Sequence, residues 1–94
     1  MQQPPVTHTF RGHRYRLVPY HAKKAKIHGD CDAPRCLDKQ MRIPTRGTTR
    51  KELTVIIHEA LHACMWDLSE ETVDETSQDI ARLIWRLNWR KVEM

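Results

Sequence analysis

Apolar positions change their spacing along the chain, and the change divides it in two. In VTHTFRGHRYRLV, residues 6–18, apolar and aromatic side chains recur with rough alternation on both sides of Arg11-Gly12-His13. A period near two around a glycine predicts two short strands joined by a tight turn. Residues 19–26 (PYHAKKAK) show no clear period, and IHGDCDAPRC, dense in Gly, Asp and Pro, reads as a loop. The run KQMRIPT then sets Met41 and Ile43 against Arg42 and stops at Pro44, which predicts a short edge strand.

From Leu53 onward the period lengthens to that of a helix. Thr49-Arg50-Lys51-Glu52 is a capping box, with Thr as N-cap and Glu three residues later, immediately before LTVII. Neither Gly nor Pro interrupts Leu53 to Trp66, so the helix is expected to reach Trp66. Asp67-Leu68-Ser69-Glu70 starts a second one, with Asp67 or Ser69 as N-cap and acids in the first turn. It is expected to run to about Asn88, burying Val73, Ile80, Ile84 and Leu87, with Arg82, Arg86, Arg90 and Lys91 toward its C-terminal end. The predicted fold class is α+β: a small antiparallel or mixed sheet of about three strands (residues 1–47) packed on a tight two-helix hairpin (residues 48–94). At 94 residues this is one domain with a modest core.

Composition narrows the function classes. With 39% hydrophobic and 30% charged residues the chain is globular rather than disordered. It holds no run of about 18 apolar residues, and MQQPPVTHTF lacks a basic region followed by an apolar block, so neither a membrane span nor a secretory signal is expected. The odd number of cysteines, Cys31, Cys36 and Cys64, fits reduced thiols, and a cytoplasmic location follows. Charge is divided: residues 1–50 carry 11 Lys and Arg against 3 acids, whereas residues 51–94 carry 5 against 9. A basic half either solvates the surface or meets a polyanion, which makes nucleic acid a candidate partner for Arg11, Arg14, Arg16, Lys23, Lys24 and Lys26.

The chemistry is concentrated in TVIIHEALHACMW, residues 54–66. On a helix His58 and His62, four apart, project from one face and can aim two imidazoles at one point. Neutral imidazole suits zinc, and Glu59 follows the first ligand closely enough to take a proton from zinc-bound water. In a chain of this composition the three positions coincide by chance in roughly two of a hundred sequences. Context strengthens the pattern: Leu53, Ile56, Ile57, Ala60, Leu61 and Cys64 form one broad face, and Val55 and Met65 flank the histidines on the other. Such a helix is buried nearly all round, so the histidines face protein, either as ligands or as buried side chains with ordinary hydrogen-bond partners. A catalytic zinc needs a third protein ligand. With the turn centred near Leu68, Asp74 is the expected one, Glu75 the next choice, and Glu71 or Asp79 the remaining alternatives.

HEALH on a capped apolar helix, followed by an acid-rich second helix, resembles a zincin-type metallopeptidase reduced to its minimum. It is most similar to small SprT-like and ImmA/IrrE-like proteins, including compact versions encoded by phages and prophages. The resemblance covers Lys39 to about Arg90, and HEALH is its one sharply specific part. It implies zinc hydrolysis of peptide bonds, His58 and His62 as ligands, Glu59 as base, and an edge strand, Met41 to Ile43, that pairs with an extended peptide substrate. The chain has no third downstream histidine in a HExxHxxGxxH pattern and no Met-turn, so it does not resemble the metzincin branch.

Other residues carry weaker expectations. Cys31 and Cys36, with His21 and His28 nearby, could form a second zinc site, although their spacing is loose and Asp30 and Asp32 crowd them. Tyr15, Tyr20 and His28 are the candidate donors to a developing oxyanion. Trp66, Trp85 and Trp89 are expected to pack between helices. A different class of function stays open beside hydrolysis: a zinc-containing, nucleic-acid-associated binding module without protease activity, or an antagonist that acts by contact alone.

Overall fold

The computed structural model describes residues 6–19, 29–44 and 49–89. Its elements are β1 (Val6–Phe10), β2 (His13–Pro19), β3 (Asp30–Cys31), β4 (Gln40–Ile43), α1 (Arg50–Cys64) and α2 (Glu70–Arg86). The fold is α+β, a four-stranded mixed sheet followed by two helices.

The alternating stretch does form a hairpin, with Phe10 opposite His13 across a two-residue loop. Arg11 and Gly12 both take positive φ, 48° and 83°, the handedness that follows the twist of paired strands. Nothing lies within 4 Å of a Cβ placed on Gly12, so backbone conformation rather than space selects glycine there.

The sheet order is β1-β2-β4-β3, with β2 and β4 parallel and both other pairings antiparallel. Two expectations are corrected. Four strands form instead of about three, because Asp30–Cys31, inside the run read as a loop, pairs with Arg42 and Met41. Met41 to Ile43 is not an edge: β4 is hydrogen-bonded to β2 on one side and to β3 on the other. Pro44 lies one residue beyond the strand, so its missing N–H removes nothing from the ladder. Both edges, β1 and β3, contact α1, and Gly29 at the entry to β3 lies against Val55 and Glu59.

Tyr15, Met41 and Ile43 of the sheet and Ala63 of α1 form the buried core, joined by Phe10, Leu17, Cys31 and Ile56. From Glu52 to Cys64 no side chain of α1 is exposed, as its apolar circumference requires. Its capping box forms in full: Thr49 Oγ1 accepts from the Glu52 N–H, and a Glu52 carboxylate oxygen accepts from the Thr49 N–H, each at 3.1 Å. The helix ends at Cys64, two residues short of Trp66, with Met65 as C-cap. Arg11 of the β-turn donates to the carbonyl of Cys64 at 3.2 Å, a cation placed on a helix C-terminus.

Ser69, rather than Asp67, caps α2 and accepts from the Thr72 N–H. The buried stripe of α2 is Val73, Ser77 and Ala81; Ile80 and Ile84 are half-buried and Leu87 is 60% exposed. Close approach to α1 selects small side chains, a preference that hydrophobicity alone overlooks. The buried Ser77 hydroxyl is satisfied by donating to the Asp74 carbonyl at 2.9 Å. Asn88, at φ 64°, takes the left-handed position after the C-cap Leu87, and Trp89 donates back to the Ile84 carbonyl. Among the described residues, no helix is long and apolar enough to cross a membrane.

Candidate metal centre

The two imidazoles do meet. His58 and His62 bring their Nε2 atoms to 3.2 Å, with ring centroids 4.9 Å apart. The first residue of α2 completes the group: Glu70 places one carboxylate oxygen 2.8 Å from Nε2 of His58 and the other 3.0 Å from Nε2 of His62. Among the described residues these three form the one His, Cys, Asp and Glu cluster with metal-ligand geometry. A tetrahedral ion with bonds of about 2.0–2.1 Å holds neighbouring donors roughly 3.3 Å apart, close to the separation of the two imidazole nitrogens, and the carboxylate turns one oxygen toward each ring. Two imidazole nitrogens and a carboxylate are also a donor set that zinc accepts. The residues fit a metal.

Glu70 was not among the acids considered for the third position. Counting residues outward from the turn points to Asp74, but Glu70 precedes Asp74 by one helical turn on the same stripe, and its longer side chain spans the gap to both rings. Asp74 lies on the far side of His58, with Oδ1 3.8 Å from Nδ1 rather than beside Nε2. At that distance no hydrogen bond joins them, and the Asp74 carboxylate acts on the ring as a nearby negative charge. Gln78 donates to the other Asp74 oxygen at 3.1 Å and fixes it. Glu71 and Glu75 are exposed, and Asp79 pairs with Arg82 along α2.

Glu59 occupies a different setting although it adjoins His58 in sequence. It points toward the sheet, is 7% exposed, and lies beneath Gly29 at the entry to β3. A Cβ on Gly29 would stand 2.8 Å from the Arg42 carbonyl oxygen, 2.8 Å from Val55 and 3.2 Å from Glu59, so only glycine lets the strand come this close. Burial pushes the Glu59 carboxyl up to about 7, and the adjacent His58 partly opposes the shift. His58 and Glu59 line one cavity of about 570 Å³, which continues between α1 and α2.

The remaining candidates stand apart. Cys31 packs in the core, where burial raises its thiol to about 11, and Cys36 is exposed; within the described residues neither joins a metal-ligand cluster. The Tyr15 hydroxyl is buried and donates to the Asp32 carbonyl at 2.9 Å, a structural use remote from an oxyanion. Tyr20, His21, His28, Lys23, Lys24, Lys26, Arg90 and Lys91 lie outside the described residues. Of the tryptophans, Trp85 is half-buried, Trp89 is 72% exposed, and Trp66 stands beside the His62 ring at 5.9 Å. Arg11, Arg14 and Arg16 are exposed on the hairpin of β1 and β2. No family model, curated protein or solved structure matches the chain.

Proposed function

We propose that the protein is a zinc-dependent metallopeptidase in which His58, His62 and Glu70 hold the metal and Glu59 is the general base. One observation supports this reading most directly: the Nε2 atoms of His58 and His62 lie 3.2 Å apart, each within 3.0 Å of one of the two Glu70 carboxylate oxygens, beside a cavity that His58 and Glu59 line. Bound zinc would supply Lewis acidity toward water and the scissile carbonyl at neutral pH. Glu59 takes the proton of the attacking water and returns it to the leaving amine. Asp74, whose carboxylate lies 3.8 Å from Nδ1 of His58, and Glu70 balance part of the charge of the ion. The substrate is a protein or peptide segment that enters the cavity between the helices. Three free thiols favour a reducing compartment, and we assign the protein to the cytoplasm on that ground.

Metal analysis of the purified protein is the first test. Wild type is expected to hold one zinc, and His58→Ala and Glu70→Ala to lose it. Glu59→Gln is expected to keep the metal and cleave an unfolded protein substrate at least 100-fold more slowly, as loss of a general base requires. Equal zinc in wild type and His58→Ala would end this reading. Zinc lost in Asp74→Ala but kept in Glu70→Ala would return the third position to Asp74.

A further inference from the structure

The cavity beside His58 does not end at the candidate centre. It runs along α1 toward its first turn, with Arg50, Lys51, Thr54 and Val55 on one side and Gln78 and Arg82 of α2 on the other. Charge is segregated along it. Glu59 and Asp74 lie at the His58 end, whereas Arg50, Lys51 and Arg82 gather at the far end. Arg82 shares its charge with Asp79, while among the described residues no ion pair engages Arg50 or Lys51. With the Arg82 charge offset by Asp79, Arg50 and Lys51 leave a positive potential at this end that Glu59 and Asp74 at the other end do not cancel locally.

We propose that this far end is a specificity subsite for a carboxylate, so that the preferred substrate is a peptide with an acidic residue a short distance from the bond cleaved. The inference rests on the hydrolytic reading of the centre and names its substrate class. From His58 to Lys51 the helix rises about 10 Å at about 1.5 Å per residue, the length of roughly three residues of extended peptide. An acid two or three positions from the scissile bond therefore reaches the cations. The wall between the two ends is formed by Thr54, Val55 and Gly29, which suits a peptide chain. A phosphodiester strand carries a charge on every nucleotide and would bring its phosphates against Glu59 and Asp74, so an acidic peptide fits better than nucleic acid.

The test uses the zinc-loaded full chain and a set of fluorogenic peptides in which one Glu is walked along an otherwise neutral sequence, each paired with its Gln counterpart. Wild type is expected to prefer Glu over Gln about 5- to 10-fold in kcat/KM at one or two adjacent positions, the effect of two or three half-exposed ion pairs. In the Arg50→Gln/Lys51→Gln double variant that ratio falls toward one while zinc content stays at one equivalent. Lys51→Glu is expected to turn the preference toward a Lys-containing peptide. Equal rates for Glu and Gln at every position, or a preference that survives the double variant, would overturn the proposal. If no peptide is cleaved, the hydrolytic reading fails, and fluorescence anisotropy with labelled Glu and Gln peptides decides the subsite alone. Tighter Glu binding that is lost in the double variant retains it, and equal binding removes it. A single-stranded oligonucleotide that displaces the Glu peptide from wild type, and binds the double variant several-fold more weakly, would assign the cations to nucleic acid instead.

Discussion

Two clusters of charged side chains, one on the sheet and one on the helical hairpin, each gather two carboxylates and compensate them differently. On the sheet, Asp30 and Asp32 both meet Arg42, with Nη2 of Arg42 2.8 Å from Asp32 Oδ1. The other Asp32 oxygen accepts the Gln40 backbone N–H at 2.9 Å, and Nη1 of Arg42 donates to Gln40 Oε1 at 3.1 Å. A permanent cation meets both carboxylates, and a backbone donor also meets Asp32. On the hairpin, Glu70 and Asp74 converge on two imidazoles, which in the neutral, metal-binding form bring no charge. Two negative charges there meet neutral rings rather than a permanent cation. Without a metal the hairpin cluster therefore carries about two uncompensated negative charges against about one on the sheet, and the two differ by the single permanent cation of Arg42.

The largest effect separating the clusters is expected from His62→Ala, which should weaken zinc binding by roughly 10²–10³-fold, one donor's share of a binding free energy of about 10 kcal/mol. Competition with a chromophoric chelator measures it, and Arg42→Met should leave the same affinity within about twofold. Next in size, Arg42→Met should lower stability by about 1–2 kcal/mol in urea, because it strands two carboxylates. Metal-free Glu70→Gln should change stability by less than about 0.5 kcal/mol, since its carboxylate is largely exposed. Comparable losses in both variants would erase the contrast. Smaller again, Asp74→Asn should cost roughly tenfold in zinc affinity while the site still fills, the effect of a nearby negative charge; a loss as large as that of His62→Ala would make Asp74 a ligand.

The smallest effect concerns pH. The Gln40 N–H, and then Arg42, hold the Asp32 carboxyl below its usual value. A carboxyl whose pKa is lower in the folded state adds stability that is fully present above its unfolded value of about 3.9 and is lost as the pH falls from there through the folded value. Denaturant midpoints of metal-free protein should therefore decline below about pH 4, and Asp32→Asn should flatten that acid limb without adding slope above pH 6. An unchanged limb in Asp32→Asn would show that other carboxyls set the acid response.

What could be read from the sequence was local. The capping box, the HEALH face, the second helix and the β-hairpin depend on residues within a turn or two of one another, and all four formed. What escaped depends on segments meeting from a distance. The two residues of β3 carry no periodicity, and they are a strand only because β4 lies beside them. The interior position of β4 follows from a crossover that local pattern does not encode. Burial of Glu59 needs Gly29, thirty positions earlier. Glu70 was missed for a subtler reason: acids at a helix start read as capping residues, and the reach of a long side chain across a tight turn is not a matter of periodicity.

That the three proposed metal donors fall within residues 58–70 bears on the order in which the molecule assembles. Closing so short a loop costs little entropy and needs only the helical hairpin, whereas Arg11 must find the Cys64 carbonyl across 53 positions and β4 must slot between β2 and β3. An ion captured early would act as a nucleus, staking α1 and α2 together before the sheet docks. Refolding with zinc present should then accelerate the helical phase alone and leave the slow, sheet-forming phase unmoved.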